Sequence, residues 1–184
     1  MTRTDHSTTD TEVTPTELRH AMSHFVTGVT VVTSVDADGQ PVGTTANAVS
    51  SLSLDPPLLL VCFDRSSQTL AAVLAHGAFA VNVLAERQEE LSSNFARRGN
   101  AADWDGVRHG PGLTGSPRLH GVLATLECTV ESRLPGGDHE IVIGRVRHAH
   151  MPDQAPDGSP GGQAVPLLFW RGRYASLGTP EQRG

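Results

Sequence analysis

The chain has 184 residues, a formal charge of −6 and two cysteines. One domain with a real hydrophobic core is the expectation at this length, and the acidic balance argues against nucleic acid or an anionic membrane as the main partner. No apolar run approaches the roughly 20 residues that cross a bilayer, residues 1–13 are polar with no hydrophobic stretch of the secretory kind, and Cys62 and Cys128 sit singly in apolar runs. Together these point to a reduced, cytoplasmic setting without a disulfide.

In chain order, residues 1–13 read as a disordered tail. Thr14-Pro15-Thr16-Glu17 opens a helix, with Thr14 as cap, Pro15 at the first position and Glu17 three residues on. Leu18, Ala21, Met22, Phe25 and Val26 form its apolar stripe, and Gly28 closes it. His20 and His24 lie one turn apart, but no third ligand is near, so no metal is expected. Val29 to Val35 is a β-branched strand. Asp36-Ala37-Asp38-Gly39 turns it into a second arm, Pro41 to Ala46.

The stretch Gly43 to Thr69 then organises the rest. It runs from small and hydroxylic residues, through a Pro56-Pro57 stop and a buried-looking run Leu58 to Phe63, back to hydroxyls beside Arg65. Small side chains let a flat ligand approach the main chain, and hydroxyls with free N–H groups at a helix start suit a phosphate. A strand between two such patches could hold both ends of one planar, phosphorylated molecule. Two hairpin loops rich in turn formers are the competing reading.

Ser67 begins a short helix, Gln68 to Ala75, closed by Gly77; Ala78 to Leu84 is a strand, and Gln88 to Arg97 a helix. Asn100 to Ser116 is a polar loop carrying Trp104, which could cover a site. Leu119 to Ser132 and His139 to His150 are long strands joined through Pro135-Gly136-Gly137-Asp138. Met151 to Val165 is an excursion loop, Pro166 to Tyr174 the last strand, and residues 178–184 a tail. Short strands, hairpins and a few outlying helices indicate a mainly β domain over residues 14–177, built as an antiparallel barrel.

Several ordered segments resemble the flavin reductase family of the split-barrel flavin-binding fold, the short NAD(P)H-using reductases of two-component flavin monooxygenases. They are Phe25-Val26-Thr27-Gly28-Val29-Thr30-Val31-Val32-Thr33, Thr45-Ala46-Asn47-Ala48 with Ser51-Leu52-Ser53 and Asp55-Pro56-Pro57, and Ser66-Ser67-Gln68-Thr69. Phe79 to Leu84, Leu91 to Ala96, Gly115-Ser116-Pro117, Leu126-Glu127-Cys128, Gly137-Asp138-His139 with Ile143-Gly144, and Pro166 to Tyr174 follow.

The resemblance implies a split-barrel homodimer with one flavin, FMN or FAD, per subunit near the interface. NADH, with NADPH as the alternative, would be the hydride donor, and a separate monooxygenase would receive the reduced flavin. Carried over by position, Thr45, Ala46, Asn47, Ala48, Val49, Ser51 and Leu52 would line the isoalloxazine and ribityl chain, largely through main-chain groups. Cys62, Phe63 and Asp64 would flank it, and Ser66, Ser67 and Thr69 would take the phosphate. Phe95 would lie by the far end of the flavin. His139, with Phe169, Arg171 and Tyr174, would shape the nicotinamide site. Ala48 stands where many relatives carry Ser or Thr, so binding there would depend on the backbone.

The chemistry implied is hydride transfer, for which the cofactors carry the hard step and the protein supplies stacking and electrostatics. Holding the two rings about 3–3.5 Å apart makes the reaction effectively intramolecular. His139 would position the nicotinamide and Asp138 would orient His139. Cys62, Arg171 and the pair Arg97-Arg98 remain open between site and bland roles, while Cys128 reads as core and His148 and His150 as a solvated face. Two further readings stand beside this one: a flavin-holding module or sensor without hydride chemistry, and an all-β ligand carrier with no flavin.

Overall fold

The computed structural model describes residues 12–97, 102–152 and 165–177. The expectations for the two tails, for most of the excursion loop and for Arg98 fall outside these residues, apart from Glu12 and Val13, which form no helix or strand.

The first helix, α1, spans Pro15–Met22. Thr14 caps it with both arms of a capping box: its Oγ1 accepts from Glu17 N–H at 3.2 Å and its own N–H donates to Glu17 Oε2 at 2.9 Å. The helix is shorter than the stripe suggested. Ser23 is the C-cap and its hydroxyl donates back to the His20 carbonyl at 2.7 Å. The chain then tightens into a turn before the two-residue strand β1, Thr27–Gly28, pairs with the C-terminal hairpin. Gly28 is therefore a strand residue and not a helix stop. No residue of α1 is buried, and Leu18, Met22, Phe25 and Val26 are each more than half exposed.

Strands β2 (Thr30–Val35), β3 (Pro41–Ala46), β4 (Val49–Leu54), β5 (Pro57–Asp64) and β6 (Ala78–Val83) follow, with α2 (Gln68–His76) between the last two. A 3₁₀ turn, Glu86–Gln88, leads into α3 (Glu89–Phe95), shorter than the helix read from sequence. A small ladder joins β7 (His109–Pro111) to β8 (Pro117–Leu119). The long strand expected from Leu119 instead breaks at Gly121, whose φ is +74°, and resumes as β9 (Ala124–Gly136). After the Gly137-Asp138 turn, β10 runs His139–His150. The last expected strand is a hairpin, β11 (Leu168–Trp170) and β12 (Arg173–Ala175), turned by Arg171 at φ 49° and Gly172 at φ 75°. Two successive positive φ angles match the right-handed twist of a tight hairpin.

Seven strands form one antiparallel sheet in the order β3-β2-β6-β9-β10-β5-β4. Its two outermost strands, β3 and β4, are adjacent in sequence and separated only by Asn47 and Ala48. A flat sheet would put these edges about 29 Å apart, six spacings of roughly 4.8 Å. The chain from Ala46 to Val49 spans at most about 11 Å. The sheet must therefore curl until its edges meet, and β3 and β4 become one bent strand crossing the gap. This is the split of the expected barrel.

Buried side chains pack on both sides of β2 and β6. Val32, Val61, Phe63, Val73, Phe79, Val81 and Val142 make one cluster, with α2 laid over it. Val31, Leu84, Phe95, Leu119 and Leu167 make a second, beneath α3 and the C-terminal hairpin. This explains why β2 is buried without alternation, its hydroxyl residues Thr30, Thr33 and Ser34 included. Ser67 Oγ caps α2 by accepting Leu70 N–H at 3.3 Å, and Gly77 at φ 73° closes it, as its sequence indicated. Gly144 lets the Phe79 ring lie directly on β10, where any Cβ would strike it.

Asn82, fully buried on β6, ties four strands together. Its amide donates to the Val31 carbonyl at 3.0 Å and Thr33 Oγ1 at 3.1 Å, and its oxygen accepts Leu119 N–H at 3.0 Å and Thr125 Oγ1 at 3.2 Å. Each buried group orphaned by its removal costs about 1–3 kcal/mol. Asn82→Ala is expected to destabilise the fold by about 3 kcal/mol, lowering Tm by roughly 6–12 °C in calorimetry. An unchanged Tm would contradict this role.

Candidate functional site

The bent strand opens a cavity of about 560 Å³ at the split. That volume lies within the range of about 300–1,000 Å³ typical of sites that enclose a small ligand. Thr45, Ala46, Asn47 and Ala48 line it along the bend, and Cys62, Phe63 and Asp64 face it from the end of β5. Ser66, Ser67 and Thr69 line it at the start of α2, Phe95 from the end of α3, and His139 from the start of β10. The segments singled out from sequence thus converge, although they come from five separate elements.

The bend is held from below. Ala48 carbonyl accepts Cys62 N–H at 3.0 Å, and Thr30 Oγ1 donates to the Ala46 carbonyl at 2.6 Å. Thr45 Oγ1 donates to the Ser92 carbonyl at 2.6 Å, which fastens β3 to α3. The opening of α2 is shaped by Asp64: its Oδ1 accepts both the N–H of Ser66 at 2.8 Å and its hydroxyl at 2.6 Å. Three hydroxyls around the first turn of a nine-residue helix suit a phosphate, since N–H groups and the positive end of the helix point there. The donor set and the cavity therefore fit a phosphorylated planar cofactor.

His139 pairs with Asp64 across the β10–β5 ladder. Its Nδ1 lies 2.8 Å from Asp138 Oδ1. The hydrogen bond from His139, and then its charge, holds the Asp138 carboxyl below the usual carboxylate range. Such a carboxyl contributes stability that is complete above its ordinary pKa and is lost as pH falls through the lowered folded value. The main chain also fixes this corner, as Arg65 N–H donates to the Asp138 carbonyl at 3.1 Å. Asp138 thus sets the ring orientation and leaves Nε2 as the free imidazole nitrogen of the pair.

Other residues fall outside the cavity. Val49 packs half-buried against the first core cluster. Ser51 is exposed and Leu52 is 45% exposed on β4, and neither lines the cavity. Phe169 and Tyr174 form an edge-to-face pair, ring centres 5.6 Å apart, against the second core cluster. Tyr174 Oη donates to Ser92 Oγ at 2.9 Å. Arg171 sits in the terminal turn, its guanidinium 4.8 Å from the centre of the Trp170 ring. These residues back the site or stand beside it and do not line it.

The cavity also has walls to which the sequence reading assigned no ligand contact: Gly43, Thr44 and Gln68 within the organising stretch, Ala102, and Trp104, which it took only as a possible cover. Gly43 carried a signal, since glycine within a strand marks a close approach. A Cβ there would stand 2.8 Å from Phe95 Cε1. Cys62 is half-buried on the cavity wall, whereas Cys128 is in the core and burial, with Glu127 beside it, pushes its thiol up to about 12. Cys128 is inert at neutral pH.

Comparison with known proteins agrees with this geometry. Residues 22–178 match the family model described as "Flavin reductase like domain". A probable flavin reductase of Rhizobium meliloti is 47% identical over 136 residues; the match covers 72% of this chain and 42% of that protein, so the chain spans less than half of its length. The reductase subunit HsaB of a flavin-dependent monooxygenase from Rhodococcus jostii is 38% identical over 165 residues, 90% of this chain and 79% of the other. Among solved structures, the Streptomyces globisporus NADH:FAD oxidoreductase SgcE6, in complex with NAD and FAD fragments, superposes with a TM-score of 0.80 at 33% identity, covering 94% of this chain and 99% of that one. With its curled antiparallel sheet and a cavity at the split, this chain belongs to the flavin reductase-like domain family.

Proposed function

We propose that the protein is an NADH-dependent flavin reductase that hands its reduced flavin to a separate monooxygenase. The observation that carries this reading is that the Thr45–Ala48 segment, the hydroxyls at the head of α2 and the Asp138-held His139 all line one cavity. Flavin and nicotinamide, when bound, supply the hydride chemistry.

The chain's own groups do the rest. Ser66, Ser67 and Thr69 hold the flavin phosphate. Small side chains from Thr45 to Ala48 leave one ring face uncovered, and main-chain N–H groups of the bend stand where negative charge develops on the reduced ring. His139 positions the nicotinamide, and its bond to Asp138 removes one rotational freedom before the donor arrives. NADH is favoured as donor by the name of the solved relative, and FMN and FAD are both candidates for the flavin. The monooxygenase partner is inferred from relatives that are named as reductase subunits.

The same reading includes a homodimer. Leu18 and Met22 on α1, which buries none of its residues, and Phe25 and Val26 in the turn after it each expose 51–67% of their surface. An apolar face of that kind is normally covered by a partner, and a second copy supplies the matching face.

The direct test mixes the protein with NADH and FMN or FAD in air-saturated buffer. Catalytic loss of NADH absorbance with at least one flavin is the expected result. Tight flavin binding without NADH oxidation would instead establish a flavin-holding module. A second test separates donor from flavin: His139→Ala is expected to raise KM for NADH about tenfold, a loss of roughly 1.4 kcal/mol, with flavin affinity changed far less. Unaltered kinetics would remove His139 from the site.

A further inference from the structure

We infer that the chain carries a second ligand site, for a small organic carboxylate, in a pocket of about 220 Å³ that shares no residue with the cavity at the split. Three polar side chains converge on its rim from three elements. Arg118 comes from β8, His120 from the turn at Gly121 and His150 from the end of β10. Its floor is made by Leu119, Val122 and Thr125.

The floor is buried and fixed. Leu119, Val122 and Thr125 are each at most 4% exposed. Asn82 Oδ1 accepts both Leu119 N–H at 3.0 Å and the Thr125 hydroxyl at 3.2 Å, so the polar groups under the pocket are satisfied from within. What they leave facing a ligand is chiefly hydrocarbon. His150 stands opposite Thr125 in the β10–β9 ladder, which puts both side chains on one face of the sheet. The His120 backbone is held at both ends: its N–H donates to the Arg108 carbonyl at 2.9 Å, and its carbonyl accepts Gln88 Nε2 at 3.2 Å.

The rim is short of acceptors. No Asp or Glu lines the pocket, in a chain whose formal charge is −6. Arg118 Nε is buried without a hydrogen-bond partner. Glu127 Oε1 stands 3.8 Å from it, close enough for charge pairing and too far for a hydrogen bond. The other Glu127 oxygen is taken by Thr114, through its N–H at 2.9 Å and its hydroxyl at 3.3 Å. Among the described residues, the rings of His120 and His150 make no hydrogen bond.

A guanidinium flanked by two imidazoles offers several N–H donors to one planar anion, and a neutral imidazole still keeps one of them. The apolar floor selects among anions. It suits a carboxylate on a small hydrocarbon body and disfavours inorganic phosphate, whose hydration would be lost against it. The volume lies below the roughly 300–1,000 Å³ of sites for larger ligands, so the ligand is small.

Calorimetric titration with benzoate as the probe tests this. The wild type is expected to bind one benzoate per chain with a Kd of about 1 mM or tighter. Arg118→Gln weakens binding about tenfold, the loss expected of a charge-assisted hydrogen bond. His150→Ala, at an exposed strand end where the fold is not at stake, weakens it a few-fold. Benzamide, of the same shape without the charge, binds about tenfold more weakly, and His139→Ala, in the other cavity, leaves benzoate affinity unchanged. No saturable binding by the wild type would overturn the inference. So would affinity unmoved by both Arg118→Gln and His150→Ala, or binding lost with His139→Ala. Phosphate or benzamide bound as tightly as benzoate would overturn it as well.

Discussion

The structure depends on one short piece of chain. Asn47 and Ala48 join strands that stand at opposite edges of a seven-stranded sheet. The span is too short for any flat arrangement, so the sheet must close on itself and leave a seam. At that seam the backbone leaves one ladder, with β2, before it enters the next, with β5. The Ala46 and Ala48 carbonyls are tied to β2 and β5 there, and the two alanines put little bulk on the cavity side. A cavity at this place follows from how the sheet closes. The same step of the chain that bends the strand also lines the cavity.

Precision at the seam comes from behind it. Thr45 is bonded to the carbonyl of Ser92, and Ser92, fully buried, takes the hydroxyl of Tyr174. The C-terminal hairpin therefore reaches the cavity through α3 and does not itself line it. Phe95, one turn further along α3, closes on Gly43. On the opposite rim the turn before β10 is stitched to the end of β5 through Arg65 and Asp138. Both rims are tied to separate strands of the same curled sheet, so the distance between them is set by the barrel rather than by loops.

Much of this was legible in the sequence. The turn at Asp36–Gly39, the caps Thr14 and Ser67 and the closing Gly77 each carry local chemistry that forces one conformation. The convergence of the Thr45–Ala48, Ser66–Thr69 and His139 segments was legible only through family likeness, because it depends on which strands pair. What failed had physical causes. The apolar stripe of α1 continued past its helix because the ensuing turn exposes Phe25 and Val26 as well. The strands around Gly121 and Arg171-Gly172 read as continuous because their flanks are apolar on both sides of a positive-φ turn. Tyr174 was assigned to the nicotinamide site by position, yet its hydroxyl is taken by Ser92. Trp104 was seen as a cover, and nothing local showed that Asn94 would clamp it into the wall.

The most direct measurement is a crystal structure of the protein grown with FMN. The account predicts the isoalloxazine against the main chain of Thr45 to Ala48, its phosphate among Ser66, Ser67 and Thr69, and one ring face open toward His139. Density for the flavin elsewhere on the surface, with the seam closed over its own side chains, would contradict it.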